Sequence, residues 1–151
     1  MKRIVLFFSL FAFTVSLHAT EIKWMTWTEA VAANKKKPKM IFVDVYTAWC
    51  GWCKVMDNKT FAVEEVAKYM SEHFYCVKFD AEQKEDVTYR KQVYKYNSQY
   101  RSHELAVNFL DGQMSYPSFV IFDKNEKRLE IIKGYIEVEP WMAKLKTIVG
   151  K

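Results

Sequence analysis

At 151 residues, half of them apolar and 17% aromatic, the chain suits one domain with a substantial core, a composition that excludes a disordered polymer. The net charge of +5 is spread without a basic stripe, which argues against nucleic acid as a partner. Three cysteines are too few for a disulfide-stapled scaffold.

In chain order, Lys2 and Arg3 precede an apolar run, Ile4–Leu17, that ends in Leu17-His18-Ala19. Residues 1–19 have the form of an export signal cleaved after Ala19, with an uncleaved N-terminal anchor as the alternative. The run is short for a membrane span, and no cysteine near its end offers a lipid attachment point. Without Lys2 and Arg3 the net charge is a mild +3. Export implies an oxidising compartment, the periplasm, in which disulfides persist. The remaining residues, 20–151, are expected to form a single domain.

Ile22–Met25 reads as a first strand. Thr26-Trp27-Thr28-Glu29 has the form of a capping box, with Thr26 as the cap and Glu29 reaching back. Trp27, Ala30 and Val31 then face inward, the Lys35-Lys36-Lys37 run is a solvated helix end, and Pro38 stops the helix. Met40–Tyr46 is nearly continuously apolar, the signature of a central strand covered on both faces. It leads into Thr47-Ala48-Trp49-Cys50-Gly51-Trp52-Cys53-Lys54, where a helix is expected to begin at Cys50 and to end near Asp57 or Asn58. Two cysteines three apart on a first helical turn have Cα atoms roughly 5–6 Å apart, which suits a disulfide. At the helix start, the unpaired N–H groups of Trp52 and Cys53 and the positive end of the dipole favour a Cys50 thiolate.

A second helix is predicted over Val63–Glu72 and a strand over Tyr75–Phe79. This strand–helix–strand alternation predicts parallel pairing in an α/β sheet. After the polar Glu82–Asp86, Tyr89, Val93, Tyr96 and Tyr100 recur at three- and four-residue steps. That spacing predicts a helix whose tyrosine face either packs on the domain or forms a substrate surface. Ser102–Leu110 reads as a further short helix closed by Gly112, and Ser118–Phe122 with Leu129–Lys133 as a hairpin. Gly134 marks a bulge, and Pro140 lies near the start of a last helix with Trp141, Leu145, Ile148 and Val149 on its apolar face.

The run Val43–Lys54 resembles the active-site signature of the thioredoxin family, with Trp52 in place of the usual proline, and Tyr116-Pro117 before a strand is similar to that family's cis-proline loop. Cys50-Gly51-Trp52-Cys53-Lys54-Val55-Met56 followed by Thr60-Phe61 looks most like the exported thioredoxin-like group. That group is also similar to the periplasmic C-terminal domain of the transmembrane disulfide reductase. The resemblance implies a thioredoxin fold, a central mixed sheet flanked by helices, with a helical insertion at about 82–100 between the third strand and the cis-proline loop. It implies a thiol–disulfide oxidoreductase acting on protein clients, a reductase or isomerase rather than an oxidase. Two departures stand beside the site: the insertion itself, and Tyr116 where reductive members commonly carry threonine.

On this reading Cys50 is the attacking thiolate, and Cys53, more buried, resolves the mixed disulfide. A permanent disulfide would stabilise little across so short a loop. Asp44 is a carboxylate in an apolar strand, where a raised pKa is expected. The resemblance makes it the proton acceptor for Cys53; a strand-end Asp bonded to backbone or water is the plainer alternative. Pro117 in cis would present the Tyr116 backbone to a client chain. Trp49 and Trp52 either flank the sulfur as a contact surface or simply pack. Cys76, in a predicted buried strand, reads as an apolar filler or, less simply, as a regulatory thiol. A zinc site of Cys50, Cys53 and Cys76 with His73 or His103 lacks a second ligand pair at zinc-finger spacing, and Lys54 after the second cysteine excludes covalent haem. No cofactor is expected. The partners implied are protein clients and a membrane-bound electron donor or acceptor, with the chain itself a monomer. The rival reading is a non-catalytic binding module that holds clients or a metal-delivery partner through the tyrosine-rich insertion.

Overall fold

The computed structural model describes residues 21–150; the expected signal segment lies outside them. Five strands form one mixed sheet: β1 (Trp24–Met25), β2 (Met40–Tyr46), β3 (Phe74–Asp80), β8 (Ser118–Phe122) and β9 (Arg128–Lys133). Their order is β1-β3-β2-β8-β9, with β1, β3 and β2 parallel and β8 and β9 antiparallel. The helices are α1 (Trp27–Lys36), α2 (Gly51–Met56), α3 (Glu64–His73), α4 (Glu104–Phe109) and α5 (Val138–Val149). Among the described residues no helix is long and apolar enough to cross a membrane.

The reason for this arrangement is visible in β2, whose residues 41–45 are all buried. Ile41, Val43 and Val45 point to one face, into a cluster with Trp27 of α1 and Leu105 and Phe109 of α4. Phe42 points to the other, into a cluster with Met56 of α2, Val66 and Met70 of α3, and Trp141 and Leu145 of α5. By the period of two, Asp44 lies on this second face, the one that α2 covers. The parallel β2–β3 register sets Asp44 opposite Lys78.

The capping box forms as the sequence predicts: the Glu29 N–H donates to Thr26 Oγ1, and Glu29 Oε2 accepts from the Thr26 N–H at 2.8 Å. The motif helix does not fray near Asp57 but continues as a π-helical turn, Asp57–Phe61. Thr60 in that turn is buried and donates to the Ile136 carbonyl at 2.9 Å.

The insertion is not helical. It folds as two small hairpins, β4 (Val87–Tyr89) with β5 (Gln92–Tyr94), and β6 (Tyr96–Asn97) with β7 (Ser102–His103). Val87 and Tyr89 are buried while Thr88 is exposed, a period of two. Arg90 and Lys91, both at positive φ, make the two-residue turn whose twist matches a hairpin. The tyrosine spacing is therefore coincidental: Tyr89 packs edge-on against Trp27, whereas Val93 and Tyr100 face solvent. The excursion closes on itself, since the Ala81 N–H donates to the Tyr46 carbonyl and the Ala81 carbonyl accepts from the His103 N–H.

Candidate active site

β2 delivers the chain to Thr47, whose carbonyl accepts the Cys50 N–H at 3.1 Å and so turns the backbone into α2 with Cys50 as its cap. Cys50 and Cys53 are joined in a disulfide with their Cα atoms 5.3 Å apart. The Cys53 N–H donates to Cys50 Sγ at 3.1 Å, so one of the amides that a helix start leaves unpaired is aimed at this sulfur. In the disulfide form the two cysteines are 5% and 4% exposed, so the expected difference in burial is negligible. What separates them is position: Cys50 is the cap, and Cys53 lies within the turn on the face shared with buried Met56.

Trp49 and Trp52 stand out from the surface at 66% and 61% exposure, one just before Cys50 and the other between the two cysteines. Trp49 is nonetheless held: its indole N–H donates to Glu82 Oε2 at 3.2 Å, and its ring meets that of Tyr116 edge-on at 5.8 Å. Trp52 lies against Tyr135 at 5.6 Å. The Tyr116–Pro117 peptide is cis, as the family resemblance implies. The Pro117 carbonyl accepts the Gly134 N–H, and buried Ser118 donates its hydroxyl to the Ser115 carbonyl at 2.7 Å, which ties this loop to β9 and to itself. Gly134 has a φ of +83°, a conformation open to glycine without strain.

Asp44 is buried, and its Oδ2 accepts from Lys78 Nζ at 2.6 Å. Its Oδ1 has no hydrogen-bond partner among the described residues. Burial pushes the carboxyl up to about 6 against the downward pull of the Lys78 ammonium. Lys78 also donates to Asp57 Oδ1 at 2.5 Å, the carboxylate that opens the π-helical turn. Burial alone would lower the Lys78 pKa, but the two carboxylates outweigh it and hold the ammonium charged above its usual value. The three groups grade from buried Asp44 through Lys78 to Asp57, whose side chain is 40% exposed.

Sequence reasoning singled out neither Lys78, Asp57 nor Glu82. Lys78 does leave a signal, a lone cation inside the apolar run Tyr75–Phe79. Its pairing with Asp44 is fixed only by the strand register. Cys76 is buried in the α2–α3–α5 cluster with its thiol pushed up to about 12 by desolvation, a state without thiolate chemistry at neutral pH. His103, weighed as a metal ligand, uses both ring nitrogens within its own segment. Nδ1 accepts the Leu105 N–H, and Nε2 lies 3.0 Å from the Glu85 carbonyl.

The family described as "Thioredox_DsbH: Protein of unknown function, DUF255" matches residues 9–137. The chain belongs to this family. A further relative of this DUF255 chain is the Mus musculus spermatogenesis-associated protein 20, 37% identical over 67 residues. That stretch is 44% of this chain and only 8% of the mouse protein, so the chain spans a small part of that relative's length. Among solved structures, the DsbH oxidoreductase superposes with a TM-score of 0.65 at 19% identity, covering 91% of this chain and 90% of that one. The C-terminal domain of Neisseria meningitidis DsbD in its oxidised form gives a TM-score of 0.56 at 20% identity, covering 82% of this chain and 97% of that one. Likeness at these identities is likeness of fold. The DUF255 chain is thus an α/β protein of thioredoxin fold that carries a Cys-x-x-Cys disulfide, an arrangement suited to thiol–disulfide exchange.

Proposed function

We propose that the chain is an exported, periplasmic thiol–disulfide oxidoreductase that acts as a monomer on protein clients, as a reductase or isomerase. The observation that carries the reading is the Cys50–Cys53 disulfide at a helix start, with the Cys53 amide directed at Cys50 Sγ. In the reducing direction the Cys50 thiolate attacks one sulfur of a client disulfide and the other client sulfur leaves as a thiolate. Cys53, deprotonated, then attacks Cys50 Sγ and expels the second client thiolate; the protein is left as the disulfide and the client has gained two electrons. Asp44, with a pKa of about 6, is ionised at neutral pH and accepts the Cys53 proton. The exposed faces of Trp49 and Trp52 and the backbone of Tyr116 beside Pro117 receive the client chain. Regeneration needs two electrons from a dithiol, which in an oxidising compartment implies a membrane-bound donor.

Insulin reduction with dithiothreitol as donor tests the reading. The expected result is a rate above the uncatalysed reaction that disappears in Cys50→Ser, and accumulation of mixed disulfides through Cys50 in Cys53→Ser. No rate above background in the parent chain would favour a binding module instead. Covalent capture by Cys50→Ser but not by Cys53→Ser would reverse the two roles.

A further inference from the structure

Next to Trp49 the insertion borders an open cleft of about 450 Å³ lined by Trp49, Glu82, Tyr100, Arg101, Met114 and Tyr116. Trp49 immediately precedes Cys50, and Tyr116, in ring contact with Trp49, precedes the cis Pro117. Tyr100 and Arg101 come from the loop between β6 and β7 and have no counterpart in a chain that runs directly from its third strand to the cis-proline loop. From this geometry we infer that the cleft is a specificity site for the segment of the client next to its reacting cysteine. It takes an aromatic side chain against Trp49 and Tyr100, and an acidic side chain against Arg101. The inference rests on the redox reading of Cys50 and names the class of client that the site selects.

Three observations carry it. The walls are preformed. Glu82, itself bonded through its N–H to Asp80, fixes the Trp49 indole, and Tyr116 braces that ring edge-on. The base of the Tyr100–Arg101 loop is anchored at both ends, by the His103 N–H on Ala81 and by the Glu104 N–H on the Lys95 carbonyl. Apolar surface is on offer in a fixed position: Tyr100 is 68% exposed, as prominent as Trp49, and aromatic faces of this kind bind aromatic side chains in offset or edge-on pairs.

The cleft carries one carboxylate and one guanidinium, which differ in what engages them. The Glu82 carboxylate in the cleft accepts from Trp49, whereas Arg101 is exposed and makes no ion pair among the described residues. A carboxylate placed at Arg101 meets a guanidinium with no ion pair to break. A client held in extended form advances about 3.3 Å per residue, so the residues that reach the cleft lie within two or three positions of the cysteine.

The test uses octapeptides, each dimerised through one cysteine, as oxidants of the dithiol form of the full chain. The flanking residues are Phe with Glu, Ala with Gln, or Phe with Lys. Each turnover breaks the peptide–peptide disulfide, releases two peptide thiols and closes Cys50–Cys53. The expected order places Phe/Glu about tenfold above Ala/Gln. Tyr100→Ala removes most of that preference, and Arg101→Glu reverses an about threefold preference for Glu over Lys. Reduction of hydroxyethyl disulfide, which carries no flanking residues, is expected to stay at the parent rate in both variants. Equal rates for all three peptides, or a loss in Tyr100→Ala that is the same for hydroxyethyl disulfide, overturns the inference while leaving the redox reading intact. Failure to reduce hydroxyethyl disulfide overturns the redox reading itself. In that case, binding of the serine-for-cysteine Phe/Glu peptide, followed by tryptophan fluorescence, decides the cleft: weaker binding in Tyr100→Ala upholds it, and equal or absent binding overturns it.

Discussion

Asp44 is asked to be both buried and charged, and the surrounding side chains set the terms. Its carboxyl titrates at about 6 in the fold against 3.8 ordinarily, because burial outweighs Lys78. Between those two values the folded chain holds a proton that the unfolded chain has released, so stability falls as pH rises through that window. Asp44→Asn mimics the protonated form at every pH. Relative to the parent, the variant is expected to gain roughly 2–3 kcal/mol between pH 4 and pH 7 in denaturant unfolding. A gap that stays constant with pH contradicts the assignment. If Asp44 is the general base proposed above, the same substitution is expected to slow resolution of the mixed disulfide at pH 7 about a hundredfold. The fall of the parent rate below pH 6 is expected to vanish in the variant. Stability and chemistry thus pull on this residue in opposite directions.

Within the insertion, one imidazole links the start of the excursion to its end. His103 is fully buried at the cap of α4; because Nδ1 accepts the Leu105 N–H, Nε2 must carry the hydrogen donated to the Glu85 carbonyl. Burial holds its pKa below the ordinary 6.5, against the Glu85 carbonyl and the Glu104 and Asp86 carboxylates, which favour the charged ring. A depressed histidine destabilises the fold as pH drops through 6.5 and stops doing so below its folded value. The protection of the amides in residues 87–103, measured against the intrinsic exchange rate at each pH, is therefore expected to fall as pH drops from 7 to 5. His103→Asn, which keeps a cap acceptor but does not titrate, is expected to flatten that dependence. An equal loss of protection in parent and variant would assign the effect elsewhere.

These hairpins also mark where reading the chain stopped working. The Thr26 box, the doubly covered β2 and the Cys50 cap were legible because each is a local rule about neighbours in sequence. The Arg90-Lys91 turn was not, since it adopts positive φ at both residues without the glycine or asparagine that announces such a turn. The 3–4 spacing of Tyr89, Val93, Tyr96 and Tyr100 then imitated a helix. At the site, the Asp44–Lys78 pair was hidden for a different reason. It depends on the register of two strands 34 residues apart, which no local pattern encodes. Glu82 on Trp49 is the same kind of contact.

At the scale of the molecule, one sheet with two filled faces presents a strand end, a helix start and a proline loop at a single edge. Cys50 gains its character from that convergence: Thr47 turns the backbone, the Cys53 amide faces the sulfur, and Trp49 is braced beside it by groups from the insertion and the proline loop. None of these contacts outlives the fold. Thiolate absorbance of the reduced chain, titrated once folded and once in concentrated guanidinium, measures this directly. The folded chain is expected to show one thiol ionising well below the value of about 8.5 of a free cysteine, absent in Cys50→Ser and lost on unfolding. A Cys50 thiol that ionises at the same pH folded and unfolded would contradict the account.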